Sequence, residues 1–387
     1  MRILAVGGGS GGHVTPVAAV CSELRKTHPS AEIRVWCDRK FYQQAFATML
    51  AVDGHIKVEP IIAGKFRRYH GLSVLKHVSQ LQTIVIPNAI DSVKMTAGFF
   101  QSIYKLLVWR PDVVFSKGGF VCLPVGIAAH VLRIPLVIHD SDAHPGLTSR
   151  VLARWAQVIA TGAPLKYYSY PKSKARYIGI PVSSMAKPFS VAKQRVAKQD
   201  LGMSEHDPLV VITGGGLGAR SINEATLKVL DDLLGFCSVI LVAGKDNLQD
   251  LKSRAGKRSN LQIHGYVSSD TMQQMLGAAD IVVSRAGATT LLELAALAKP
   301  AVIIPNEHLT GGHQVKNAAV YSQAKAIVVL EDTRLKAEPL SLVDVINATL
   351  LHKPTLKKLS TNIHTFAKPD AAKDMAKIII GAATNVR

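Results

Sequence analysis

The residues of this chain best suited to chemistry stand where short apolar runs give way to glycine clusters. Arg2-Ile3-Leu4-Ala5-Val6 runs into Gly7-Gly8-Gly9-Ser10-Gly11-Gly12-His13, and Leu209-Val210-Val211-Ile212-Thr213 runs into Gly214-Gly215-Gly216-Leu217-Gly218-Ala219. Glycines this dense at a strand-to-helix turn let backbone N–H groups close on an anionic group, and the dipole of the following helix adds to the attraction. An imidazole at His13, beside such a loop and on the first turn of a helix, is placed to act as a base. A third small-residue turn, Ser284-Arg285-Ala286-Gly287-Ala288-Thr289-Thr290-Leu291-Leu292-Glu293, offers a helix start to a phosphate and a carboxylate to sugar hydroxyls. Further on, the amides of Gln314 and Asn317 open a helix after the run Ile304-Pro305-Asn306, a setting that suits hydroxyl recognition.

Two patterns admit a second reading. The first loop satisfies GxGxxG (Gly7, Gly9, Gly12) and the second GxGxxA (Gly214, Gly216, Ala219), with Asp38 after the second strand as a possible ribose ligand. Read mechanically these are dinucleotide fingerprints, and a nicotinamide- or flavin-dependent oxidoreductase would use both. Such an enzyme leaves the Ser284–Glu293 block idle and has no need of His13. Asp140-Ser141-Asp142 is a DxD triplet, which in many sugar transferases holds a metal that carries a nucleotide diphosphate. Glycine turns and helix ends neutralise phosphate without metal, so a turn cap is the expected role for at least one aspartate, and neither metal nor cofactor is called for.

The elements that must position these groups alternate. Strands are expected at 2–6, 32–37, 57–62, 112–115, 135–139, 157–160 and 175–178, then at 209–213, 238–242, 261–264, 280–283, 301–304 and 326–329. Helical spacing of apolar residues lies between them, as in Val17, Val20, Cys21 and Leu24. Strand and helix in alternation imply parallel sheets, and the restart after a linker near 183–190 implies two Rossmann-like domains facing each other across a cleft. The expected boundaries are 1–183 and 184–367, with a C-terminal helix at about 368–387 packing back on the first domain.

At 387 residues with 48% hydrophobic content, the chain is long enough for two cores. It begins as a strand, with no charged-then-apolar leader, and no apolar run reaches the length that spans a bilayer. Its four cysteines show no CxxC spacing, so neither a disulfide framework nor a thiolate metal site is indicated, and a cytoplasmic protein is expected. The formal charge of +19 suits nucleic acid, an anionic membrane or phosphorylated substrates. No nucleic-acid module accompanies it, so no nucleic-acid partner is expected. Lys65-Phe66-Arg67-Arg68-Tyr69 mixes cations with aromatics. It precedes an amphipathic stretch through Leu72, Leu75, Val78, Leu81 and Val85, and then a second apolar helix through Phe99, Phe100, Ile103, Leu106, Leu107 and Trp109. This is either a core helix pair with a basic entry loop or a surface that rests on anionic lipid.

Taken in order, these residues resemble the MurG family over nearly the whole chain. Gly8-Gly9-Ser10-Gly11-Gly12-His13 with Pro16 resembles its GGTGGHxxP loop, and Gly64–Tyr69 its GKxRRY segment. Pro111-Asp112-Val113-Val114, Gly118-Gly119-Phe120-Val121 and Pro124 resemble PDVVxGxGGYVxxP. His139–Asp142 with Pro145–Thr148 resembles its H-E-x-N/D…PGLTN block. Gly214–Ala219 resembles GGSxGA, Ser284–Glu293 the SGAxTxxE block, and His313–Ala318 the HQxxNA end.

The resemblance implies an α/β, GT-B type fold and transfer of N-acetylglucosamine from UDP-N-acetylglucosamine to undecaprenyl-diphosphate-linked muramoyl peptide. The reaction would belong to peptidoglycan synthesis, on the cytoplasmic, anionic inner face of the cell membrane. Glu293 would hold the ribose hydroxyls, Val267 the uracil through its backbone, and Gln314 the sugar. Ala288, Thr289 and Thr290 would line the diphosphate and sugar, with Leu291, Leu292 and Asn317 in the same binding set. Ser10, Gly11 and Gly12 would shape the loop under the reacting diphosphates, and Asp142 falls at a family Asn or Asp. His13 is the expected base, with Asp140 as its orienter or the alternative base. Two departures stand out: Ser183 replaces a family arginine and Gly216 a family serine, and each removes a donor-side polar contact. A lipid glycosyltransferase with another sugar or a diacylglycerol acceptor is the alternative within the fold.

Overall fold

The computed structural model describes residues 1–8, 11–66, 81–182, 187–215, 218–244, 248–307 and 312–384, without the side chains of residues 11–13 and 81. Of the expected site residues, Ser10, Arg67, Arg68, Leu72, Leu75, Ser183 and Gly216 lie outside these, as does the side chain of His13. The chain divides into two compact units, Met1–Ser184 with Lys368–Arg387, and Met185–Ala367.

The first unit is built on a seven-stranded sheet: β1 (Arg2–Val6), β2 (Glu32–Asp38), β3 (Lys57–Ile61), β4 (Val113–Ser116), β5 (Leu136–Asp140), β6 (Val158–Thr161) and β7 (Ala175–Tyr177). All pairings are parallel, in the order β3-β2-β1-β4-β5-β6-β7. The central strands β1, β4, β5 and β6 are almost wholly buried and read as near-continuous apolar runs, so they begin and end within about a residue of the runs in the sequence. The helix Gly11–Thr27 buries Val17, Val20, Cys21 and Leu24 on the sheet. The C-terminal helix Ala371–Thr384 inserts Met375, Ala376, Ile379 and Ala382 into the same core.

The second unit has six strands: β8 (Leu209–Thr213), β9 (Ser238–Val242), β10 (Leu261–His264), β11 (Ile281–Ser284), β12 (Ala301–Ile303) and β13 (Val328–Val329). Their order is β10-β9-β8-β11-β12-β13, again parallel. In each sheet the order reverses beside the first strand, between β1 and β4 and between β8 and β11. Open parallel sheets bind ligands beyond the carboxyl ends of the strands at such a point. Thr213 and Ser284 are register partners, so the loops after β8 and β11 leave the sheet side by side. Gly218 is required there, because its φ is +74° and a Cβ would come 2.1 Å from the Ala243 carbonyl oxygen.

Candidate functional site

In the second unit the helix Ala288–Ala296 begins with Gly287 in an extended conformation and no side-chain cap. The amides of its first turn, Ala288, Thr289 and Thr290, therefore face the open end of the helix as donors for an anion. All three residues are half-buried. Glu293 lies on the same helix, half-buried, and its carboxylate has no hydrogen-bonding or charged partner among the described residues. Burial pushes its carboxyl up to about 7. A raised carboxyl of this kind costs stability once it ionises, and a ligand hydroxyl donating to it restores the charged form. Gln314 accepts the Asn306 amide N–H at 2.9 Å through Oε1, which fixes its side chain at the end of the loop after β12. Val267 is half-buried before the helix Ser269–Ala278. Its backbone N–H and carbonyl make no backbone bond in the described turns.

Three of the expected binding residues are buried more deeply than the others. Leu291 and Leu292 are buried, at 0% and 2% exposure, because the helical phase that presents Thr290 and Glu293 turns these two inward. The Leu291 amide is moreover committed to the Gly287 carbonyl at 2.9 Å. Asn317 is 3% exposed, and its Nδ2 donates to the Ala286 carbonyl at 3.2 Å. It holds the loop that would hold a ligand.

In the first unit, β1 runs through Gly7 and Gly8 toward the helix Gly11–Thr27, which carries His13 on its first turn. Asp140 ends β5 and is 6% exposed; the Tyr170 hydroxyl donates to its Oδ2 at 2.8 Å. Burial pushes Asp140 up to about 7, helped by Asp142 and opposed by the Tyr170 bond and the charge of Lys117. Asp142 is half-buried, and its carbonyl accepts the Tyr168 hydroxyl at 2.8 Å. Lys117, just past β4, went unnoticed in the sequence. It is 1% exposed, its backbone N–H donates to Val6 at 2.9 Å, and its Nζ donates to Ser141 Oγ. Burial pushes its ammonium down to about 8 against the pull of Asp140 and Asp142. The pairing spans 24 residues of sequence, so no local pattern announces it.

Asp38 bears on the dinucleotide reading. It is 5% exposed, and Oδ1 accepts the amides of Lys40 and Phe41 at 3.1 and 3.3 Å. Its Oδ2 lies where a Cβ on Gly8 would come within 2.6 Å. The carboxylate caps the turn Arg39–Phe41 and packs against Gly8. Among the described residues no cluster of His, Cys, Asp and Glu has the makings of a metal site, and all four cysteines are buried and free.

Comparison with known proteins bears on what such a pair of units does. The model of the glycosyltransferase family 28 N-terminal domain matches residues 3–161, and that of the family 28 C-terminal domain matches residues 209–375. Two parallel Rossmann-like units in this order make a GT-B type fold, and the family models mark the chain as a glycosyltransferase. A Bacillus cytotoxicus protein, UDP-N-acetylglucosamine--N-acetylmuramyl-(pentapeptide) pyrophosphoryl-undecaprenol N-acetylglucosamine transferase, is 31% identical over 386 residues, 98% of each chain. The chain belongs to the MurG family. The crystal structure of Acinetobacter baumannii MurG has the same fold, with a TM-score of 0.72 at 21% identity over 98% of this chain and 99% of that one. The fold extends beyond sugar transfer. A Neisseria meningitidis UDP-GlcNAc 2-epimerase, solved bound to UDP-GlcNAc, has a TM-score of 0.64 at 13% identity, over 98% of this chain and 100% of that one.

Proposed function

We propose that the enzyme moves N-acetylglucosamine from UDP-N-acetylglucosamine to the 4-hydroxyl of the muramoyl sugar in undecaprenyl-diphosphate-linked muramoyl peptide, in one inverting displacement. The observation that carries the donor side is the Ala288–Ala296 helix, whose uncapped start offers amides to a diphosphate while Glu293, on the same helix, offers a carboxylate to ribose hydroxyls. Val267 meets the uracil through its backbone and Gln314 meets the sugar. On the acceptor side, Ser10, Gly11 and Gly12 serve the lipid diphosphate, Asp142 contributes to acceptor binding, and His13 takes the proton from the attacking hydroxyl. UDP leaves into helix N-termini and loop amides, which stabilise the charge that develops on it. This chemistry uses no cofactor.

A ligand that binds only the folded state stabilises it by about 2.7 kcal/mol at a hundredfold excess over its Kd. UDP-N-acetylglucosamine is therefore expected to raise the melting temperature and NAD to leave it unchanged. An equal shift from both would sink the donor assignment.

No helix among the described residues is long and apolar enough to cross a membrane. The helix Ile86–Trp109 instead supports peripheral contact. It buries Gly98, Ser102, Leu106 and Trp109, while Ile86, Ile90, Val93, Phe100, Tyr104 and Leu107 remain exposed in a stripe along the other face. Lys65 is exposed in the basic segment that precedes it. An apolar stripe with neighbouring cations suits the headgroup boundary of an anionic bilayer. Val93→Asp with Phe100→Asp is expected to cut sedimentation with anionic vesicles at least tenfold, on the order of 1 kcal/mol or more per lost apolar side chain. Replacing Lys65, Arg67 and Arg68 with Gln weakens it by ~1 kcal/mol per cation. Undiminished sedimentation in both variants would place the contact elsewhere.

A further inference from the structure

Arg285 follows β11 directly, two residues before the uncapped helix start. Its side chain is only 11% exposed, and its guanidinium makes a branched set of bonds. Nη1 donates to Asp332 Oδ1 at 2.8 Å and to the Ile304 carbonyl at 3.0 Å, and Nη2 donates to Ser221 Oγ at 2.6 Å. The Ser221 hydroxyl in turn donates to Asp332 Oδ1 at 2.7 Å, closing a triangle. Asp332 is 3% exposed. Burial alone would raise its carboxyl, but bonds from Lys336 and Ser221 and the Arg285 charge hold it below the usual range.

The partners come from separate parts of the sheet's carboxyl edge. Ser221 is on the first turn of the helix Arg220–Lys228, which follows the glycine loop after β8. Ile304 directly follows β12 and is two residues from Asn306, whose amide N–H bonds Gln314. Asp332 heads the helix Asp332–Ala337 beyond β13. Asn317 holds the neighbouring Ala286 carbonyl, so the loop between β11 and the Ala288–Ala296 helix is fastened at consecutive residues.

We infer that Arg285 is a positioning residue for the sugar-nucleotide donor, clamping the β11 loop to the helix after β8 and to the end of β12. The inference rests on the donor reading above. A planar, always-charged fork can serve three acceptors at fixed angles, which the single ammonium of a lysine cannot. The clamp sets the mutual placement of the Ala288–Thr290 amides, the second glycine loop and Gln314. It touches no ligand itself. Displacing binding groups by about 1 Å is enough to cost on the order of 10²-fold in turnover or affinity.

The test is steady-state kinetics with both substrates varied, UDP binding by calorimetry, and a melting curve for each variant. Arg285→Gln is expected to raise the KM for UDP-N-acetylglucosamine and the Kd for UDP by roughly tenfold to a hundredfold while leaving the acceptor KM unchanged. Arg285→Lys should recover part of the loss. Ser221→Ala, which removes one bond of the triangle, should shift the same two constants in the same direction by less, and it carries the test if Arg285→Gln does not fold. A folded Arg285→Gln with unchanged donor constants overturns the inference, as does a uniform fall in kcat that tracks the folded fraction. Glu293→Ala, run alongside, separates the two levels. If it loses UDP binding while the Arg285 variants keep it, the clamp alone is wrong; if it too keeps UDP, the donor reading falls and the clamp with it.

Discussion

His13→Ala is expected to lower turnover by about 10²–10⁴-fold with donor affinity nearly intact, the usual size of a general-base contribution. His13 belongs to the first turn of the helix after the first glycine loop, where the acceptor's diphosphate would meet helix amides. An ordinary imidazole, with a pKa near 6.5, suits proton transfer at neutral pH, and a neighbouring diphosphate raises such a pKa. Asp140 is the competitor. An ordinary carboxylate near 4 is a weak base for a sugar hydroxyl, but burial carries Asp140 up to about 7 and removes that objection. Both groups must be deprotonated to accept a proton, so either one makes activity rise with pH through neutrality. The pH profile alone will not tell them apart; the substitutions will. A His13→Ala enzyme that turns over normally beside a dead Asp140→Asn enzyme would reverse the roles and leave His13 as part of the loop.

Glu293→Gln is expected to lose most of the affinity for UDP-N-acetylglucosamine and, with it, the pH dependence of binding. The carboxyl of the free enzyme is held up at about 7 by burial. Ribose hydroxyls that donate to it favour the ionised form, so binding lowers its pKa and releases a proton. Affinity therefore rises with pH from about 5 to 7 and levels off above. The sugar nucleotide is the right probe because its diphosphate, esterified at both ends, does not titrate in that range. Folding stability has the opposite sign. The folded pKa lies above the unfolded value of 4.5, so the contribution of Glu293 is present at low pH and lost as pH rises through about 7. Calorimetry in buffers of different ionisation enthalpy at pH 6.5 reads the released proton directly. Proton release that persists in Glu293→Gln would assign the linkage to another group.

The strands were legible because a strand buried on both faces must be apolar throughout, and the glycine loops because a backbone that wraps an anion tolerates few side chains. The helix at Ala288 carried its own phase: Leu291, Leu292, Leu294 and Ala295 are its apolar stripe, which leaves Thr290 and Glu293 outside the core. Arg285 and Lys117 were a different matter. Their partners lie 64 residues back at Ser221, 47 ahead at Asp332 and 24 ahead at Ser141, and only the sheet order brings them together. Asn317 fell between the two cases. An amide at a helix start reads the same whether it meets a ligand or a loop carbonyl, and the bond from its Nδ2 to Ala286 joins residues 31 apart in sequence.

The most direct test of the account is transfer of radiolabelled sugar to an undecaprenyl-diphosphate-linked muramoyl acceptor, with UDP-N-acetylglucosamine set against UDP-glucose, UDP-galactose and, for acceptor choice, diacylglycerol. Label is expected in the muramoyl lipid from UDP-N-acetylglucosamine alone, with the new glycosidic bond of inverted configuration. Label transferred equally well from another sugar nucleotide, or to diacylglycerol in preference to the muramoyl lipid, would contradict it.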